Sequence, residues 1–225
     1  MTPKTHQSRD AWTLAKRQHG VITRVQLLEL GFSSEAIRHR LGNGRLYRVR
    51  RGVYAVGRPF LTPYGRWMAA VLACGDGAVL SHSSAAALWR IGFEERSGIE
   101  LSLPSPSRRR RPGIRIHRRP SLQERDITAE YGIPVTTPVQ TLLDLTLRLD
   151  RLGVERMINE ADRYNLVNPP QLRRALDQRP GQKGVALLRH ILDRRTFRLT
   201  KEELERRFLP LAAQAGLPVL SPGSG

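Results

Sequence analysis

Residues 31–56 read GFSSEAIRHRLGNGRLYRVRRGVYAV, six arginines and one acid on an apolar skeleton that does not break. Ser33 or Ser34 can cap a helix over EAIRHRL, since a serine hydroxyl accepts a bond from an N–H that the first turn leaves unpaired. Ile37 and Leu41 stand four apart on one face of that helix. Gly42-Asn43-Gly44 then breaks the chain. RLYRVR and VYAV flank Arg51-Gly52, which suits a two-residue hairpin turn with glycine at the positive-φ position.

Upstream, WTLAKRQHG (12–20) reads as a short helix closed by Gly20, and TRVQLLELGF (23–32) as a second. Thr23 can cap the second, Gly31 stops it, and Val25, Leu27, Leu28 and Leu30 are expected to form its buried stripe. The order helix, helix, turn, helix, β-hairpin is that of a winged helix-turn-helix. With Ile37 and Leu41 held to the core, Glu35, Arg38 and His39 turn outward. Arginine displayed this way pairs bidentately with guanine O6 and N7 in a major groove. The hairpin arginines then meet flanking phosphates or a minor groove. A solvated helix pair with an arginine-rich hairpin is the bland alternative, because such patterns recur by chance.

The charge balance agrees with a polyanion partner. The chain carries 38 Lys+Arg against 20 acids, a net charge of +18. Residues 1–58 hold 12 of those cations and 3 acids. Double-stranded DNA is favoured over a membrane, because no lipidation motif or uninterrupted apolar span is evident. The longest apolar run, WMAAVLACG, is too short to cross a bilayer, and MTPKTHQSRD lacks a signal peptide's apolar stretch. A cytoplasmic location is expected.

PYGRWMAAVLACG (63–75) reads as a mostly buried helix, and SSAAALWRIG as a short one capped by Ser81 or Ser83. IELSL (99–103) and IRIHR (114–118) read as strands joined by PSPSRRRRPG. From Ser105 to Arg119 there are seven arginines and no acid, and a solvated loop and a phosphate contact both fit them. IPVTTPVQTLLDLTLRL (133–149) is a strand leading into Thr137 as cap and Pro138 at the first helical position. Leu142, Leu143, Leu145, Leu147 and Leu149 are expected to give that helix a broad apolar face. VERMINEADRYN, PPQLRRALDQ and VALLRHILD follow as helices. Asp144, Glu160 and Asp162 are expected to be solvated or salt-bridged.

The fold class is therefore α+β: an N-terminal winged helix-turn-helix, then a mixed, mostly helical α+β domain. Expected boundaries are 1–58, 59–198, and 199–225 as an amphipathic helix and tail. The candidate DNA-binding residues are Ser33, Ser34, Arg38, His39, Arg40 and Arg45 around the third helix. Arg48, Arg50 and Arg51 join them from the hairpin, and Arg108, Arg109, Arg110 and Arg111 from the arginine run.

No enzyme is evident. There is no P-loop, no GxGxxG after a strand, no HExxH and no GxSxG. The six histidines show no metal-ligand pairing by spacing, and neither a metal nor a cofactor is expected. His82, in LSHSSAA, fits a helix-start histidine with buried hydrogen bonds better than a partner in His/Ser catalysis. The one cysteine, Cys74, excludes an internal disulfide framework and reads as a small core residue.

HGVITRVQLLELGFSSEAIRHRL, GRLYRVRRGVYAVG, VLSHSSAAALW, IPVTTPVQTLLDL and ELERRFLPLAAQAGLP together resemble a family common in actinobacteria, related to the AbiEi antitoxins of type IV toxin–antitoxin systems. The resemblance covers roughly residues 11–218. It implies an N-terminal winged-helix DNA-binding domain and a second, antitoxin-type α+β domain. It further implies an antitoxin that represses its own operon and forms no stable complex with a toxin encoded nearby. Many members also carry a C-terminal endonuclease domain resembling very-short-patch-repair nucleases. Its opening helix resembles ELERRF, with Glu205 or Glu203 at the first acidic position. The sequence stops before the strands that would supply the other metal-binding acids, and one glutamate cannot hold a catalytic Mg²⁺. A DNA-binding, antitoxin-like regulator is the first reading. A truncated member of the nuclease branch that keeps DNA binding but not cleavage is the alternative. A third is an interaction protein whose winged helix serves protein or RNA. Oligomeric state is not readable from the residues.

Overall fold

In the computed structural model, which describes residues 3–92, 98–104, 111–120, 122–193, 208–211 and 214, the chain starts with α1 (Pro3–Arg17). Then come β1 (Val21–Thr23), α2 (Arg24–Glu29), α3 (Ser34–Gly42), β2 (Leu46–Arg50) and β3 (Val53–Val56). The three strands form one antiparallel sheet in the order β1-β3-β2. Helix, strand, two helices and a hairpin that returns to the first strand make a winged helix-turn-helix.

Local chemistry sets each boundary. Thr23 Oγ1 accepts the Gln26 N–H at 3.0 Å while Gln26 Oε1 accepts the Thr23 N–H at 2.9 Å, a reciprocal cap on α2. Ser33 Oγ accepts the Ala36 N–H at 3.1 Å and starts α3. Gly52 turns the hairpin at φ 74°, where a Cβ would add strain. Ala11, Ala15, Ile22, Leu27, Phe32, Ile37, Leu46 and Tyr54 pack into one core beneath the helices and sheet.

The stripe expected on α2 is corrected. Leu27 is 2% exposed and Leu30 packs partly against the core, but Val25 is 61% exposed and Leu28 is also exposed. Residues three apart share a helix face, so Leu27 and Leu30 point inward together and Val25 and Leu28 point elsewhere together. A six-residue helix on a small core buries one such face only.

The second sheet is mixed, in the order β6-β5-β4-β8-β7. Its strands are β4 (Val79–Leu80), β5 (Ile99–Leu103), β6 (Ile114–Arg118), β7 (Ile127–Glu130) and β8 (Ile133–Thr136). β5 runs parallel to β6, with Glu100 opposite Arg115 and Ser102 opposite His117. α4 (Pro63–Cys74) is capped by Thr62, whose Oγ1 accepts the Gly65 N–H at 3.2 Å. Its buried Trp67, Met68, Ala70 and Val71 belong to the core, as the apolar run predicts. α5 (His82–Leu88) follows β4, and Trp89 Nε1 donates to the Thr136 carbonyl at 2.9 Å. Both sheets lie in one compact unit, residues 1–141. Within it His19 Nε2 reaches the Tyr131 carbonyl oxygen at 2.7 Å, and Tyr64 stacks on His19.

α6 (Pro138–Thr146) leads into the second unit, residues 142–225. That unit contains α7 (Arg151–Arg163), α8 (Pro169–Asp177) and α9 (Val185–Ile191). Val154, Ile158, Leu172, Leu176 and Leu188 form its buried centre. Arg173 donates twice to the Leu192 carbonyl, at 3.0 and 2.6 Å. Leu147 and Leu149 are exposed, contrary to the broad apolar face expected of them, because α6 ends at Thr146 and they leave its period. Asp144 and Asp162 are buried rather than solvated, while Glu160 meets Arg163 at 3.6 Å. Most of the helix expected over 201–218, with Glu203 and Glu205, lies outside the described residues. Residues 208–211 are helical and exposed.

Candidate nucleic-acid interface

The buried side of α3 is anchored by Ile37, with Leu41 packed partly against the same core. The opposite side leaves Ser34, Glu35, Arg38 and His39 exposed. Ser33 is committed to the helix cap, and Ser34 Oγ accepts Arg24 Nη2 at 2.7 Å. Arg24, at the start of α2, thereby stands beside the first turn of α3. Sequence reasoning passed over it because nothing in its spacing marks an interhelical bond.

The basic side chains divide into two groups. Arg38, Arg45, Arg48 and Arg51 are exposed, and among the described residues their guanidinium groups make no hydrogen bond or ion pair. Arg38 lies on α3, Arg45 just beyond it, Arg48 on β2 and Arg51 at the hairpin tip. Arg40 and Arg50 are held by the protein instead. Arg40 stacks over the Phe32 ring at 4.5 Å and donates to the Ala36 carbonyl and Ser8 Oγ, each at 3.3 Å. Burial, and then Arg45 nearby, lower its pKa. Arg50 Nη1 donates to the Pro112 carbonyl at 2.9 Å. Arg40 and Arg50, which the sequence groups with the DNA-facing residues, thus have partners within the protein. Strict alternation would put Arg50 on the same face as Arg48, but the pairing of β2 with β3 shifts register between them, and Arg50's partner, 62 residues away, could not be read from β2 alone.

Arg108, Arg109 and Arg110 lie outside the described residues. Arg111 is half-buried near Cys74 and Arg50. Burial raises the Cys74 pKa, and the charges of Arg111 and Arg50 pull against that shift without cancelling it. Only the thiolate is strongly nucleophilic. At pH 7.5 the native thiol should therefore react with a disulfide reagent more slowly than the denatured chain. Equal rates in the two states would refute this placement.

Among the described residues no helix is long and apolar enough to cross a membrane. Residues 13–57 match the family described as transcriptional regulator, AbiEi antitoxin. Residues 77–194, more than half of the chain, match the family described as AbiEi antitoxin C-terminal domain. No curated protein matches the chain.

Proposed function

The chain belongs to the AbiEi antitoxin family, with a transcriptional-regulator domain at its N-terminus, and from that premise we propose that it represses its own operon by binding duplex DNA through the winged helix. α3 enters the major groove and Arg38 reads base edges, with His39 and Ser34 beside it. Arg45, Arg48 and Arg51 bind backbone phosphates or the adjoining minor groove. The arginine run at 108–111 adds positive charge to the chain. The partner in the system is a toxin encoded nearby, with which no stable complex forms, and the site of action is the cytoplasm.

The observation that carries this reading is the division of the arginines. Arg38, Arg45, Arg48 and Arg51 are exposed and unpartnered among the described residues, while Arg40 and Arg50 are bonded to the protein. An exposed arginine with no protein partner keeps all five guanidinium donors for base edges or phosphate.

Selection of bound duplexes from a random pool, repeated with two variants, tests it. Arg38→Ala should relax preference at one or two positions and cost about 1–3 kcal/mol on the best sequence only. Arg51→Ala should weaken good and poor sequences alike, as loss of a phosphate contact does. If both variants act uniformly on every sequence, α3 is not the reading helix.

A further inference from the structure

His82, Glu100 and His117 come together although they stand on three different elements. His82 opens α5, Glu100 lies on β5, and His117 lies on the edge strand β6. Each offers one ligand atom, and these atoms all lie within 4.8 Å of one another. His117 Nε2 is 2.9 Å from Glu100 Oε1, and the two imidazole rings stack with centroids 3.9 Å apart. Glu100 is completely buried. Its other oxygen, Oε2, accepts the Ser83 N–H at 3.0 Å and the Ser83 hydroxyl at 2.6 Å. Those bonds fix the carboxylate and leave Oε1 directed at His117.

We propose that His82, Glu100 and His117 bind a divalent first-row transition-metal ion of the zinc class. The donor set selects that class. Two imidazoles and one carboxylate suit zinc, nickel, cobalt or iron, whereas calcium and magnesium call for oxygen ligands throughout. Three protein ligands also leave coordination positions for water. Ser102 occupies the same face of β5 as Glu100, two residues on, and is paired across the sheet with His117. Its hydroxyl is buried without a hydrogen-bond partner, and a water on the ion would supply one.

The surroundings permit the ion to enter. The His117 side chain is 19% exposed, so the edge-strand side is open to solvent. Arg115 Nη1 lies 3.7 Å from Glu100 Oε1 but is about half exposed, and it swings outward when the ion takes over the carboxylate's charge. Ligand atoms on one tetrahedral zinc at ~2.1 Å stand about 3.4 Å apart. Glu100 and His117 are already that close, and binding draws the His82 ring from its stacked position toward them. His117 then carries its proton on Nδ1, which frees the Nε2 lone pair for the metal. His82 itself sits at φ 51°, a left-handed conformation uncommon for a non-glycine residue.

The test uses the full chain stripped with a chelator and titrated with Zn²⁺ alone by calorimetry, then with Co²⁺ by visible absorption. One equivalent of Zn²⁺ should bind, and Co²⁺ should give a ligand-field band that Zn²⁺ abolishes. His117→Ala and His82→Ala should each weaken Zn²⁺ binding by at least about 10–100-fold, while His190→Ala, at an exposed histidine on α9, leaves it unchanged. If His82→Ala does not fold, His117→Ala on the exposed edge decides alone. Absence of saturable binding, binding that survives His117→Ala, or equal affinity for Mg²⁺ would each overturn the proposal. The outcome is independent of DNA binding, since none of these variants lies in the winged helix.

Discussion

Raising the salt from about 50 to 200 mM should weaken binding to the preferred duplex by roughly 10²–10⁵-fold. The expected log–log slope is about −4 to −8, which corresponds to roughly five to nine neutralised phosphates at ~0.9 per phosphate. Arg38, Arg45, Arg48 and Arg51 are exposed and available for such contacts, and residues 1–58 carry 12 cations against 3 acids. Arg40 and Arg50 should add little, being occupied by the protein itself. A filter-binding or anisotropy titration across that range measures the slope. Replacing Arg45, Arg48 and Arg51 together by alanine should make it shallower by about 2–3, one contact per arginine. A slope near zero in the parent chain would remove the DNA-binding reading, and a slope unmoved in the triple variant would remove the hairpin from the interface.

Leu27→Ala should lower stability by about 2–5 kcal/mol, whereas Val25→Ala stays within about 0.5 kcal/mol of the parent. Both residues belong to α2 and both are apolar. Leu27 sits in the core with Ile22, Phe32 and Ile37, and its truncation leaves a cavity there. Val25 is 61% exposed, so shortening it removes little contact. Urea unfolding followed by tryptophan fluorescence and circular dichroism gives both values. Similar losses for the two variants would mean that α2 is rotated from the orientation described.

That contrast marks how far periodicity reaches. The helix-turn-helix was legible because Thr23, Ser33, Gly31 and Gly52 are local signals: a cap or a positive φ depends on residues within one turn. The strands at 99–103, 114–118 and 133–136 and the helices of the second unit were legible for the same reason. β1, β4 and β7 were missed. β1 and β4 have three and two residues, too few for alternation to register, and pairing with distant strands makes them strands; β7 (Ile127–Glu130) has one large apolar residue, at its start, and is a strand through its pairing with β8. The extent of burial on α2 and at the end of α6 was misjudged, since an apolar residue is not buried unless another element covers it.

The residues alone were enough for the α+β class, the winged helix-turn-helix, the basic character of the N-terminal half and the family resemblance. Each follows from short-range chemistry or from charge, which needs no coordinates. Three-dimensional packing had to divide Arg38, Arg45, Arg48 and Arg51, which face solvent, from Arg40 and Arg50, which bond to Ser8, Ala36 and Pro112. It also had to gather His82, Glu100 and His117, 17 and 18 positions apart, into one cluster. Spacing of that kind carries no period of a helix or a strand. The parallel register of β5 on β6 and the placement of α5 over them bring the three side chains within reach, and those are long-range pairings that no local pattern encodes.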